Sequence, residues 1–305
     1  MTNIDIVRSQ EQLDFNSART KAFLRAIFGV ISGHKNKLMA WDEVKDKLGL
    51  RGLVSRGMQT VAIDKIAGSV GRYLDFDDAF LPKNNALANR WRSIDRAFYE
   101  DVNLPPIKLY KVGDVYFVLD GNHRVSVLRE HGATYIDAEV SEALTRVQPT
   151  MADLNADSLT ILGEYADFLE RTHLDKLRPE QNVRFSIGGA YLRLIEHIAV
   201  HRYFMGLDLK RDISEDEAVN DWYDNVYMPI VKSVREDNIL REFPNRTEAD
   251  LYLWIIDHKH FLRESCGCEV TAEDAATDYA ENYAPKPPLK RVQDAVGHLV
   301  QNIRF

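Results

Sequence analysis

Apolar positions in Asn16–Ile31 recur at Phe23, Ile27 and Val30, with Ala22 and Ala26 beside them. This spacing predicts a helix that lays one stripe on the body of the protein. Lys21 and Arg25 flank that stripe, so a membrane-surface role competes, but basic residues are too few to favour it. Ser32-Gly33-His34 predicts the helix end, and Met39–Leu48 reads as a second short helix closed by Gly49. The pattern then turns β-rich. Thr60–Ile66 alternates as a strand, and Ile107–Val112 and Val115–Leu119 are two strands joined by the tight Gly113-Asp114 connection. Tyr135–Val140 is a further strand, and Asn85–Phe98 is a helix carrying Arg90, Arg92 and Arg96. Strands mixed with short helices predict an α+β domain.

From about residue 151 only helical periods remain. Ser158–Thr172 is one, and Ser186–Met205 is another with Ile187, Tyr191, Leu194, Ile198 and Met205 facing inward. Ser214–Glu217 forms a capping box opening Glu215–Tyr227, which Pro229 should end or kink. Thr247–Asp250 opens a helix whose buried stripe is Leu251, Trp254, Ile255, His258 and Leu262. The tail from Pro285 reads as an extended linker and then a short helix. The expected organisation is a helical arm over 1–50, an α+β domain over 51–150 and an α-helical domain over 151–305, with no internal repeat.

With 305 residues, 45% apolar and 28% charged, the chain matches an ordinary globular protein of more than one domain. No apolar run reaches the ~18 residues of a membrane span, and the first residues lack the order of a signal peptide, so the expected location is the cytoplasm. Cys266 and Cys268 have no second pair to complete a zinc site and lie too close for an easy disulfide; incidental thiols are favoured over a strained redox pair. Charge is uneven: residues 1–150 hold 21 Lys+Arg against 19 Asp+Glu, and residues 151–305 hold 18 against 28. An acidic half argues against extended nucleic-acid binding, which needs a basic surplus. DNA remains a partner for a local basic patch only.

The candidate chemistry lies in Val115–Ala143, where a strand ends in Asp120-Gly121-Asn122-His123-Arg124 and a helix begins. A helix opening at a glycine leaves its first backbone N–H groups unpaired and pointing at one spot, a natural anion site. Gly121 permits close backbone approach. Arg124 is suited to grip phosphate oxygens in a fork. His123 would donate to phosphate, or shuttle a proton if its pKa sits near neutrality. Asn122 is placed to orient a ligand or cap the helix, and Asp120 to hold Mg²⁺ or act as a base. A turn-only reading competes, because Asp120 and Asn122 are ordinary turn residues and Arg124 can pair with an acidic neighbour. Adjacent His123 and Arg124 at a helix start favour the anion site.

These residues and their element order resemble the ParB/sulfiredoxin superfamily, small α+β domains that bind nucleotides through a Gly-x-x-Arg turn at a helix start. Val61–Ile66 is similar to the family's opening strand, Ile107–Asp120 to its central hairpin, Gly121–Arg124 to its phosphate turn and Ile136–Val140 to its closing strand. The resemblance covers roughly residues 52–145. It implies a nucleotide ligand with Mg²⁺ and, at Arg72, a further basic residue near that ligand. Over nearly its whole length the chain also resembles a group of bacterial proteins that share LRGLVSRGMQTVAIDKIAGSVGRY and FPNRTEADLYLWIIDHKHFL; that likeness implies no particular activity.

Departures limit what carries over. Sulfiredoxins place a catalytic Cys where this chain has Asn122, so the thiolate needed to reduce a sulfinic acid is missing and that chemistry is excluded. ParB proteins carry an acidic residue and two arginines in the turn, where this chain has Asn122, His123 and Arg124. Of the second ParB nucleotide motif, Ser141–Pro149 keeps only Glu142. The resulting expectation is a nucleotide-binding protein. If catalytic, it would be a hydrolase or phosphotransferase relying on Arg124, His123 and a metal ion. The alternative is a non-enzymatic DNA-associated regulator. The helical domain would cover the ligand, choose a partner or mediate self-association.

Three other groupings read more simply as core or surface. His197 and His201 lie four apart on one helix, with His258 and His260 on another, but the acid of a helical zinc motif is absent and core histidines with backbone partners are favoured. Trp222, Tyr223, Tyr227, Tyr252 and Trp254 have the spacing of a helical core. Arg90, Arg92 and Arg96 with Lys35, Lys37, Lys45 and Lys47 are interleaved with acids, as on a solvated surface.

Overall fold

A computed structural model describes residues 3–32, 36–266 and 271–283. Packing divides the chain into two units, Met1–Ala166 and Asp167–Phe305. Residues 284–305 and Cys268 lie outside the described residues, and with them the tail and the cysteine pair.

The first helix, α1, runs Asn3–Ser32, longer than its apolar pattern indicates. Its docked face also differs from the expected one. Phe15, Ala18 and Ala22 are buried, whereas Phe23 and Val30 are 60% and 86% exposed. Beyond Ala22 the helix is apolar on nearly every side, so periodicity could not select a face. The small Ala18 and Ala22 and the ring of Phe15 instead pack against Trp91, Ile94 and Val127, with the Phe15 and Trp91 rings 5.7 Å apart. Buried Glu11 completes that face through paired bonds of 2.8 and 2.7 Å from Arg96.

Strand β1 (Met39–Ala40) leads into α2 (Trp41–Leu48). The single strand expected over Thr60–Ile66 is two. β2 (Gly52–Ala62) ends at a 3₁₀ turn, Ile63–Lys65, and β3 (Ile66–Ser69) follows. The turn keeps both Ile63 and Ile66 in the core while sending β3 across the sheet, and apolar alternation cannot distinguish that from an unbroken strand. Helix α3 (Ala88–Tyr99) is preceded by a 3₁₀ turn at Asn85–Leu87. The hairpin forms as expected from β4 (Ile107–Val112) and β5 (Val115–Asp120), then come α4 (Asn122–Glu130) and β6 (Tyr135–Leu144). The six-stranded sheet has the order β1-β3-β5-β4-β6-β2. β3 lies parallel to β5, β4 antiparallel to β5 and parallel to β6, and β2 antiparallel to β6. Val125 of α4 joins the core cluster of Ile107, Leu109 and Val118, while Val127 faces α1 and α3. Helix α4 is thereby clamped on two sides, which fixes where its N-terminus points. This is an α+β architecture.

The second unit is all helical. α5 (Ala156–Thr172) carries the boundary, followed by α6 (Leu174–Leu177), α7 (Ala190–Leu209) and α8 (Glu215–Trp222). Then come α9 (Met228–Glu236), α10 (Glu248–Cys266) and α11 (Ala272–Tyr283). Ser214 caps α8 by accepting from the Glu217 amide, as expected. Pro229 does not end the segment. A π-turn at Tyr223–Tyr227 widens the helix just before it, which accommodates a residue lacking an N–H, and α9 continues. Thr247 and Asp250 cap α10 reciprocally at 2.9 and 3.1 Å. Trp222, Tyr223, Tyr227 and Tyr252 form the aromatic core, with the Trp222 indole donating to the Tyr252 hydroxyl at 2.9 Å. Among the described residues no helix is long and apolar enough to cross a membrane.

Candidate functional site

The turn between β5 and α4 opens into a cavity of about 650 Å³ lined by Arg72, Arg90, Leu119 and the whole run Asp120–Arg124. All six residues singled out in the sequence therefore meet in one place. Gly121 makes the turn possible, with φ 108° and ψ 21°, and it packs so tightly on Ile107 that any Cβ would lie 2.3 Å from the Ile107 Cγ2. No side chain caps α4, so the amides of Asn122, His123 and Arg124 lack intrahelical partners and face the turn. Asn122 is only 7% exposed and its Oδ1 is buried without a hydrogen-bond partner. Arg72 is brought in by the loop after β3. Ser69 Oγ accepts from the Arg72 amide at 3.1 Å and donates to the Val118 carbonyl at 3.3 Å, tying that loop to β5.

The side chains do not all behave as their types suggest. Arg124 is not a free fork: its guanidinium donates to Asp120 Oδ2 at 2.7 Å and to the Pro105 carbonyl. Asp120, the only carboxylate lining the cavity among the described residues, is thereby paired, and the two brace the turn from positions four apart. Arg72 bonds Asp75 at 2.9 Å. Arg90 makes no hydrogen bond or ion pair among the described residues and reaches the cavity exposed. His123 packs edge-on against buried Phe76 at 5.3 Å, and its Nδ1 is buried and unpartnered. Burial first, then the positive charges of Arg72 and Arg90, push its pKa down to about 4. The ring is neutral at pH 7, so the condition for a proton shuttle, a pKa near neutrality, is not met in the free protein. A hydrogen bond to phosphate remains open to it.

The residues fit an anion better than a resident metal. One carboxylate, already paired with an arginine, is too little for a preformed Mg²⁺ site. Glu142, the surviving acid of the second motif, is held below its usual pKa by hydrogen bonds from Lys111 at 2.9 Å and Arg56 at 2.6 Å. Arg90 is the site residue that reading by motif missed. Its signal was its place near the start of a helix after Asn84–Asn89, but the sequence grouped it with Arg92 and Arg96. The structure separates them: Arg96 grips Glu11, and Arg92 bonds Gln12 and Asn89. The basic face considered for nucleic acid is to that extent spent inside the fold.

Among the described residues the histidines of the helical domain do not gather into a metal-ligating cluster. His201 Nε2 bonds Asp221 at 2.7 Å and His258 Nε2 bonds Asp278 at 2.6 Å, so each has a carboxylate partner. His197 has a buried, unpartnered Nδ1 and a pKa lowered chiefly by burial. The side chain of His260 lies outside the described residues.

A family described as a domain of unknown function, DUF4032, matches residues 190–284, the greater part of the helical unit. No curated protein matches the chain. Among solved structures the chain is similar to a Pnob8-like ParB-N domain, at 14% identity and a TM-score of 0.20, covering 77% of this chain and 100% of that one.

Proposed function

We propose that the N-terminal unit binds a small phosphate-bearing ligand, a nucleotide by size and shape, in the cavity at the start of α4. The observation that carries this reading is convergence. Unpaired helix amides, Arg72 and Arg90 meet in a recess of about 650 Å³ whose one carboxylate is already paired. That volume lies in the range of small-molecule sites, and a helix N-terminus with arginines beside it favours negative charge. The ParB/sulfiredoxin-like reading of residues 52–145 agrees, since the hairpin, the Gly121–Arg124 turn and the closing strand occur in the required order.

A second recess of about 500 Å³ favours a nucleotide over inorganic phosphate. It is lined by Phe98, Val102, Pro105, Pro106, Leu128 and Ile136 and shares Ile94 and Arg124 with the first. A charged group at the α4 amides leaves this recess, partly apolar and also lined by Asp101, Asn103 and Asp137, for a base. With His123 neutral and only weakly basic and Asp120 engaged by Arg124, the groups present are better suited to binding than to proton transfer at pH 7. Any Mg²⁺ would arrive with the ligand's phosphates.

The test is calorimetric titration of inorganic phosphate and of adenine, cytosine and guanine mono-, di- and triphosphates against wild type and Arg90→Ala. Arg90 is exposed and makes no hydrogen bond or ion pair among the described residues, so its removal should leave the protein folded and weaken binding at least about tenfold. No binding by any nucleotide, or equal binding by both proteins, would overturn the proposal.

A further inference from the structure

Away from that cavity, three ionisable side chains from distant parts of the chain converge where α1 crosses α3 and the end of α4. Asp14 of α1, Asp95 of α3 and His131, which follows α4, each offer a donor atom, and these atoms lie within 4.8 Å of one another. His131 Nε2 is 2.6 Å from Asp95 Oδ1. Asp95 is fully buried, points into the cluster, and its second oxygen, Oδ2, has no hydrogen-bond partner. A buried carboxylate oxygen left unmatched is costly and calls for a ligand.

The surroundings sharpen this. Glu11, also buried, sits beside Asp95, and Asp14 and Glu11 both act electrostatically to disfavour the charged form of Asp95. Three carboxylates therefore crowd one spot, while Arg96, a permanent cation nearby, gives its hydrogen bonds to Glu11. Positive charge is in deficit there. The imidazole is held in place by Phe98, stacked on it at 4.2 Å and 18°, and by the Tyr99 ring edge-on at 5.3 Å. Tyr99 donates to Asp14 Oδ2 at 2.6 Å and Gln10 to Asp14 Oδ1 at 2.9 Å, so the second carboxylate is oriented by its own partners. Oriented ligands with outer hydrogen bonds are what a metal site requires.

We infer that Asp14, Asp95 and His131 bind a divalent first-row transition cation that pins the N-terminal helix to α3 and α4. Two carboxylate oxygens and one imidazole nitrogen suit Zn²⁺, Mn²⁺ or Fe²⁺ better than Mg²⁺ or Ca²⁺, which prefer all-oxygen sets. The ion would take the place of the hydrogen bond between His131 and Asp95, whose proton leaves to solvent, and would engage the free Oδ2. Three protein ligands leave the remaining positions to water. The role is structural, holding an arm whose distal apolar half is otherwise exposed.

The experiment uses the full chain stripped with a chelator and titrated with Zn²⁺, Mn²⁺, Mg²⁺ and, as an optical probe, Co²⁺. One equivalent of Zn²⁺ or Mn²⁺ should bind, raise the melting midpoint by roughly 5 °C at a hundredfold excess over Kd, and leave Mg²⁺ without effect. The Co²⁺ visible bands should vanish in Asp95→Asn and His131→Gln and persist in His201→Gln and His258→Gln. Asp14→Asn, at a half-buried position, keeps the test open if the buried variant misfolds, and should lower affinity at least tenfold. Absence of stoichiometric binding, or binding unchanged in Asp14→Asn and His131→Gln, would overturn the inference.

Discussion

Replacing Gly121 by alanine puts the geometry of the β5–α4 turn to its hardest test. Two independent terms oppose the new methyl group. At φ 108° an L side chain is strained, a cost of about 1–3 kcal/mol. The Cβ would also sit 2.3 Å from Ile107 Cγ2 and 2.8 Å from Ile107 Cβ, against a normal carbon contact of about 3.5–4.0 Å. Ile107 cannot retreat easily, because it is buried and its strand is paired on both sides, to β5 and β6. Overpacking of this kind costs about 1–3 kcal/mol, giving about 2–6 kcal/mol together. Gly132 is the matched control: its φ is 71°, but nothing lies within 4 Å of its Cβ position. Gly132→Ala should cost only about 1 kcal/mol. In urea, with a slope near 2 kcal/mol per molar, the two midpoints should fall by about 1–3 M and about 0.5 M respectively. Adding Ile107→Ala to Gly121→Ala should show favourable coupling of about 1–2 kcal/mol, because the shorter contact disappears. Equal losses in the two glycine variants, or no coupling to Ile107, would refute the packing described for this turn.

Three further outcomes are expected. His123 has a folded pKa of about 4 against an ordinary 6.5, so the unfolded chain binds the proton more readily and stability should decline as pH falls from 6.5 to 4. The shift corresponds to about 3 kcal/mol at face value, discounted for the ring's partial exposure to about 1–2 kcal/mol. His123→Gln should flatten that limb of the stability–pH curve; superposable curves for the two proteins would contradict the burial argument. The buried Trp91 indole donates to Ser126 Oγ at 2.8 Å, so Trp91→Phe should cost about 2–3 kcal/mol by denaturation, and much less in a Ser126→Ala background. Phe15→Ala should cost about 3 kcal/mol and make residues 3–32 the first segment cut in limited proteolysis, because Phe15 anchors α1 on Trp91. Cleavage elsewhere first would argue against that anchoring.

Sequence alone was sufficient wherever a property depends on near neighbours along the chain. The hairpin Ile107–Val112 with Val115–Asp120 was legible because side-chain alternation and the Gly113-Asp114 turn are both local. So was the β5–α4 turn, since a strand, a glycine and a helix start determine where amides point. The reciprocal Thr247–Asp250 cap was local too.

Tertiary structure decided everything that turns on which of several eligible groups meet. Helix α1 carries more apolar residues than it buries, so only the fit of Phe15, Ala18 and Ala22 against Trp91 and Ile94 chose its docked face. The sequence could not say that Arg124 would be held by Asp120 and the Pro105 carbonyl, that Arg92 and Arg96 would turn toward α1, or that Arg90 would be left exposed at the cavity. Asp14, Asp95 and His131 stand far apart in the chain and share no motif. They meet because hydrophobic burial brings α1, α3 and α4 together and carries their charges with them. Burial is set by patterns a sequence displays; the pairing of charges is set by distances that exist only once the chain has folded.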